Sequence, residues 1–165
     1  MPEKKYVEMI CQLSTQTQLE NFIPPGFEAR PLAEANQDEL YRCYCTAFQA
    51  GDAAFFFDQS EAGRREYFDT LGLEQVRSAA GSSLILKDEI LIGFTFVLPY
   101  REKNCHISCM CVAPEYQRLG VATFMLHFAI KEVAALGNHS ITLGTDTNMA
   151  AFQLYRQNGF EIVEE

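Results

Sequence analysis

The chain has 165 residues, a length that suits one domain and lets a core form without disulfide or metal staples. Its composition, 48% hydrophobic, 12% aromatic and 21% charged, excludes a disordered or fibrous protein. Lys and Arg number 13 against 22 Asp and Glu, and the net charge of −9 argues against nucleic acid while tolerating a cationic or amine ligand.

The start, Met1-Pro2-Glu3-Lys4-Lys5-Tyr6, has no apolar run of the secretory kind. The longest mostly apolar stretch, 119–130, is too short for a bilayer and contains Gly120, Thr123 and His127. A reducing cytoplasm is therefore expected, with no membrane and with the 6 cysteines free. Cys43/Cys45 and Cys109/Cys111 are separated by one residue, not by the two of a zinc knuckle, so no metal is expected and the thiols read as small core residues.

In chain order, Val7, Met9, Cys11 and Leu13 alternate with Glu8, Ile10 and Gln12, which predicts a strand over 4–13. A polar stretch ending in Pro24-Pro25-Gly26 makes 15–26 a linker, and 27–32 reads as a second short strand. Asn36 is placed to cap a helix carrying Leu40, Tyr41, Tyr44, Ala47 and Phe48. Residues 51–58 are loop-like, and 61–71 helical. Two β-rich runs, 82–86 and 90–98, flank Lys87-Asp88-Glu89 as a hairpin, and a third strand covers 107–112. Val121, Phe124, Met125, Phe128 and Val133 form an apolar helical face that stops at Gly137. A short strand over 141–143, a helix over 148–157 and a strand over 160–163 complete the chain. Strands alternating with helices predict a sheet covered by helices.

The junction Val112-Ala113-Pro114-Glu115-Tyr116-Gln117-Arg118-Leu119-Gly120-Val121-Ala122 runs from strand into helix and has the makings of an anion cradle. The first four N–H groups of a helix lack internal partners, and its dipole favours negative charge there. Gly120 and Ala122 give a lip of little bulk, and Arg118 adds a charge-assisted contact. No Gly-Lys-Ser/Thr follows, so it is not a Walker loop, and the glycine triplet of a dinucleotide fingerprint is missing. Taken alone, an ordinary strand-to-helix turn accounts for it equally well.

Downstream, Asn148, Ala151, Tyr155 and Gly159-Phe160 fall at spacings of three, four and four, which would set Asn148 and Tyr155 on one helical face. A Gln-x-x-Gly-x-Ala lip followed by an Asn-x-x-Ala-x-x-x-Tyr-x-x-x-Gly-Phe helix resembles the GCN5-related N-acetyltransferase (GNAT) family. The resemblance is clear over 82–165 and rests on element order alone over 27–71. It implies a mixed α/β (α+β) fold in a single domain: a mostly antiparallel twisted sheet of about seven strands, with a splayed parallel pair and helices on both faces. It also implies acetyl-CoA as cosubstrate and an amine, small-molecule or peptide, as acceptor in a ternary complex. The pantetheine arm would pair with Met110, Cys111 and Val112. The pyrophosphate would lie on the lip formed by Gln117, Arg118, Leu119, Gly120, Val121, Ala122 and Thr123. Asn148 would steady the cofactor, and Tyr155 would contact it and act as general acid toward the departing thiolate.

Many relatives carry a glutamate on the strand assigned to 107–112; this one offers Ser108, Cys109 and Cys111, so the general base stays unassigned. Among the nearby groups His106, Glu102 and Glu115, only His106 has a suitable ordinary pKa, and a strand-end surface histidine is the favoured reading of it. Phe55, Phe56, Phe57, Asp52 and Asp58, with Phe94, Phe96 and Tyr100, suit an acceptor site for an amine with an apolar portion; a core role for the phenylalanines stays open. Relatives usually add a strand after the one at 160–163, and the extra strand within 1–14 is expected to take that place at the sheet's end, with exchange into a homodimer as the rival. A non-catalytic acyl-CoA-binding sensor or interaction module on the same fold is the alternative function.

Overall fold

The computed structural model describes residues 5–15, 21–49, 59–76 and 79–164. Seven strands form one sheet: β1 (Tyr6–Gln12), β2 (Glu28–Arg30), β3 (Ser83–Lys87), β4 (Ile90–Pro99), β5 (Asn104–Val112), β6 (Ser140–Asp146) and β7 (Glu161–Ile162). The helices are α1 (Gln37–Gln49), α2 (Glu61–Asp69), α3 (Leu73–Val76), α4 (Val121–Ala135) and α5 (Ala150–Gln157). Among the described residues no helix is long and apolar enough to cross a membrane.

Local chemistry sets most boundaries. Asn36 Oδ1 accepts from the backbone N–H groups of Asp38 and Glu39 and so starts α1; Ser60 Oγ accepts from Gly63 N–H and starts α2. Asp88 and Glu89, at φ 51 and 66, form the two-residue turn that joins β3 to β4 with the twist a hairpin needs. The strands predicted over 107–112 and 141–143 are longer than their apolar runs suggested. β5 begins at Asn104 and β6 extends to Asp146, because polar residues in both share the ladder. The short α3 carries no signal of its own and was not expected.

The sheet order is β2-β3-β4-β5-β6-β1-β7, antiparallel throughout except for β5 and β6. β1 pairs with β6 along its whole length, from Tyr6 opposite Asp146 to Gln12 opposite Ser140, and with β7 at Met9 and Ile10. It was expected at the sheet's end, yet it lies one place in, with β7 outside it. Val7, Met9 and Cys11 point into the core. Leu40, Tyr44, Phe68 and Leu73 of α1–α3 pack with Phe94, Phe96, Cys109 and Cys111 in one cluster. Leu126, Ala129, Ile130 and Val133 of α4 join Met9, Ile107, Leu143 and the α5 residues Phe152 and Tyr155 in another. Helices thus flank both faces of an open mixed sheet.

Candidate active site

The parallel pair is short for its strands. β5 and β6 face each other only from Asn104 opposite Ser140 to Ile107 opposite Leu143, although β5 continues to Val112 and β6 to Asp146. The parting coincides with a β-bulge: Phe96 faces Cys109 and Val97 faces Ile107, leaving Ser108 as the extra residue. A bulge bends and twists its strand, which here carries β5 away from β6. The Ser108 hydroxyl donates to Leu71 O at 2.8 Å and ties the bulge to the end of α2.

Beyond the bulge, Ala113 N–H donates to Ile92 O at 2.7 Å. Antiparallel alternation then turns the backbone groups of Cys111 toward β4 and those of Met110 and Val112 toward the open wedge. This corrects the expected role of Cys111, whose backbone serves β4 and whose side chain is core. Gln117 Nε2 donates to Val112 O at 3.0 Å, so this side chain staples the lip to the strand end.

The lip follows from Arg118 at φ 62 and Gly120 at φ 90, two left-handed residues in three. The first backbone bond of α4 runs from Phe124 N–H to Gly120 O. Among the described residues, the amides of 118–123 enter no backbone hydrogen bond. Among the described residues, a Cβ on Gly120 would meet only Pro24 Cγ, at 3.6 Å, so this glycine answers to its φ rather than to crowding there. A row of unused amides at the start of a 15-residue helix fits a phosphate-bearing group. No cluster of His, Cys, Asp or Glu among the described residues could hold a metal ion.

A cavity of about 600 Å³ fills the wedge and runs from Met110 and Tyr155 to α1 and α2. Tyr155 lines it from α5, where burial pushes the phenol's pKa well up and keeps the hydroxyl protonated as a donor. Asn148 does not share its helical face. α5 begins at Ala150 with Met149 as its cap, and Asn148 is an exposed turn residue not among the described cavity-lining residues. His106, expected at the surface, is instead half-buried in the cavity wall, with its ring 5.2 Å from that of Tyr100. Its Nδ1 lies 2.9 Å from Thr142 Oγ1, which also accepts from Asn104 Nδ2 and gives its own proton to Cys105 O. That assignment puts the ring proton on Nδ1 and leaves the Nε2 lone pair free to accept. Burial lowers the ring's pKa against the pull of Glu8 and favours the neutral form.

Other expectations are redistributed. Phe94 and Phe96 are fully buried and belong to the core, so they line no acceptor site. Phe55, Phe56, Phe57, Asp52 and Asp58 lie outside the described residues. Glu102 and Glu115 are exposed and do not appear in the cavity wall. The wall instead includes Tyr44, Phe48, Tyr67 and Asp146, which no sequence motif marked. Tyr6 from β1 also lines it: a Cβ on Gly144 would overlap the Tyr6 hydroxyl, so the glycine is what lets this ring lie across β6. Burial pushes the Cys111 thiol well above its ordinary pKa, which argues against a thiolate nucleophile there.

The comparisons with known proteins agree with this geometry. Over its full length the fold is similar to the crystal structure of a GCN5-related N-acetyltransferase from Sphaerobacter thermophilus, with a TM-score of 0.74, 17% identity, and coverage of 99% of this chain and 50% of that one. It is also similar to a PaiA N-acetyltransferase from Thermoplasma acidophilum in complex with coenzyme A, with a TM-score of 0.68, 17% identity, and coverage of 84% and 92%. Cysteine-rich protein 2-binding protein of Mus musculus is 32% identical over 84 residues, 50% of this chain and 10% of that protein; the chain spans about a tenth of that relative's length. Residues 34–160 match the Acetyltransferase (GNAT) family, and the chain belongs to that family.

Proposed function

We propose that this chain transfers an acetyl group from acetyl-CoA to a primary amine by direct attack in a ternary complex. One observation carries the reading: where β5 parts from β6 at the Ser108 bulge, a cavity is lined by Met110, Tyr155 and His106, and the same strand runs on into a lip of unused amides at 118–123. Bound acetyl-CoA would supply an acyl group already activated as a thioester. Met110 and Val112 offer the strand-edge groups that would hold an extended arm, and the 118–123 amides would hold its phosphates. His106 Nε2 takes the proton that the amine nitrogen loses on becoming an amide. Tyr155 gives a hydrogen bond, and then a proton, to the sulfur as the carbon–sulfur bond breaks. Its raised pKa makes it a weak acid, which suffices because a thiolate is a fair leaving group.

A second reading, an acyl-CoA-binding sensor or interaction module without turnover, is supported by the carboxylate-free β5; the name of the curated relative, a cysteine-rich protein 2-binding protein, speaks for its protein-interaction form. Thiol release from acetyl-CoA, measured with a broad panel of amines and confirmed by product mass, separates the two. Amine-dependent release supports the transferase. Tight binding without release from any amine would establish the module instead.

A further inference from the structure

Polar side chains form a relay across the part of β5 and β6 that is still paired. His106 stands directly opposite Thr142, one register place before the last paired residues, Ile107 and Leu143. The chain neighbours Cys105, Ile107, Ile141 and Leu143 belong to the cluster that holds α4, so alternation turns His106 and Thr142 together to the other face of the sheet. The relay begins at Ser140, whose Oγ lies 2.7 Å from Asn104 Oδ1. That is an O–H···O length, which sets the amide oxygen of Asn104 toward Ser140 and its nitrogen toward Thr142. Asn104 Nδ2 donates to Thr142 Oγ1 at 3.3 Å, and the same hydroxyl lies 3.4 Å from Cys105 O and 2.9 Å from His106 Nδ1. Asn104 and Thr142 are both buried.

We infer that Thr142 is a positioning residue of the proposed transfer: its hydroxyl, oriented by Asn104 and Ser140, holds the His106 ring with the proton on Nδ1 and the lone pair on Nε2. The inference rests on the reading of His106 as the base and adds the group that makes it one. A hydroxyl has one proton and two lone pairs. Asn104 Nδ2 takes one lone pair. A carbonyl can only accept, so giving the proton to Cys105 O and the second lone pair to an Nδ1–H satisfies all three contacts. The reverse assignment, with Thr142 donating to a bare Nδ1, leaves the Cys105 contact without a proton and a buried lone pair without a donor. It would also put the ring proton on Nε2, where the neutral ring could take nothing from an amine. The relay lies on the paired part of the two strands, and the cavity that His106 lines opens just beyond it, at the Ser108 bulge. An intact ladder therefore orients a base that serves a site built where the ladder has parted.

The test reads the imidazole nitrogens directly, in long-range ¹H–¹⁵N spectra of the full ¹⁵N-labelled chain. At about pH 8, above the ordinary histidine range, the ring is neutral. The chain has 3 histidines, and His106→Gln identifies the His106 signals by their loss. Wild type should show a protonated Nδ1 and an unprotonated Nε2. Thr142→Val should move the tautomer ratio roughly two- to tenfold toward Nε2–H, the effect of one lost hydrogen bond. Thr142→Ser should keep the wild-type pattern, and both variants should bind acetyl-CoA with wild-type affinity. A wild-type ring protonated on Nε2 would overturn the inference whether or not any variant folds, and so would an unchanged ratio in Thr142→Val. The base reading is judged separately, by amine-dependent thiol release. Release by His106→Gln at the wild-type rate, with the Nδ1–H spectrum intact, would remove the base and leave the orienting hydrogen bond standing. Where His106→Gln slows release, Thr142→Val should slow it through kcat and Thr142→Ser restore it; wild-type kcat in Thr142→Val would overturn the inference and leave the base.

Discussion

Replacing Gly120 by glutamate combines two penalties that a parallel alanine variant separates. At φ 90 and ψ 1 any Cβ is strained, by about 1–2 kcal/mol, although there is room for it beside Pro24. Alanine and glutamate share that penalty, and in a domain of this size it lowers Tm by roughly 2–8 °C. The carboxylate alone adds negative charge in front of the 118–123 amides. At roughly 5 Å each unit charge on a bound anion is repelled by about 0.8 kcal/mol with water-like screening and about 3 kcal/mol with surface-like screening. Two phosphate charges therefore weaken binding by about 2–7 kcal/mol, at least tenfold in Kd. Calorimetric titration of wild type, Gly120→Ala and Gly120→Glu with acetyl-CoA, beside thermal denaturation of all three, measures both parts. Gly120→Glu binding with wild-type affinity would refute the anion lip.

Three further outcomes follow from the same geometry. Met9, fully buried in β1, should cost about 2–5 kcal/mol on replacement by alanine, against less than about 0.5 kcal/mol for Glu8→Ala; equal urea midpoints would mean that β1 does not belong to the core. Tyr155→Phe should lower turnover about 10- to 1000-fold with acetyl-CoA affinity intact, and unchanged turnover would reduce Tyr155 to packing. Because burial lowers the His106 pKa, its neutral, proton-accepting form persists below the ordinary histidine range. Activity should therefore fall only as pH drops below about 6.5, and His106→Gln should slow the reaction and abolish that acid limb. An identical pH profile in the variant would exclude His106 as the base.

Much of this arrangement is written locally and can be read without the fold. Asn36, Ser60 and the Asp88-Glu89 turn act within a few residues of themselves, and the alternation of Val7, Met9 and Cys11 needs only a pleat. The two motifs located the lip and Tyr155 for the same reason. The bulge at Ser108 is different. Cys105, Ile107, Cys109 and Cys111 keep a perfect period of two, yet the extra residue moves Cys109 and Cys111 into the cluster under α1 while Cys105 and Ile107 stay in the other. Apolar periodicity cannot register a residue that shifts the faces without interrupting the pattern. His106 shows the same limit: its depth depends on Thr142 across the parallel pair, 36 residues away. Asn148 was misplaced because α5 starts after Met149, two residues beyond the spacing that suggested a shared face.

The wedge between β5 and β6, with its amide lip, is the proposed acyl-CoA site. Amide chemical shifts of the ¹⁵N-labelled chain, followed during titration with acetyl-CoA, test it residue by residue. Saturable shifts are expected at Met110, Val112 and 118–123. A titration that leaves these amides unmoved, or that moves a different surface, would contradict it.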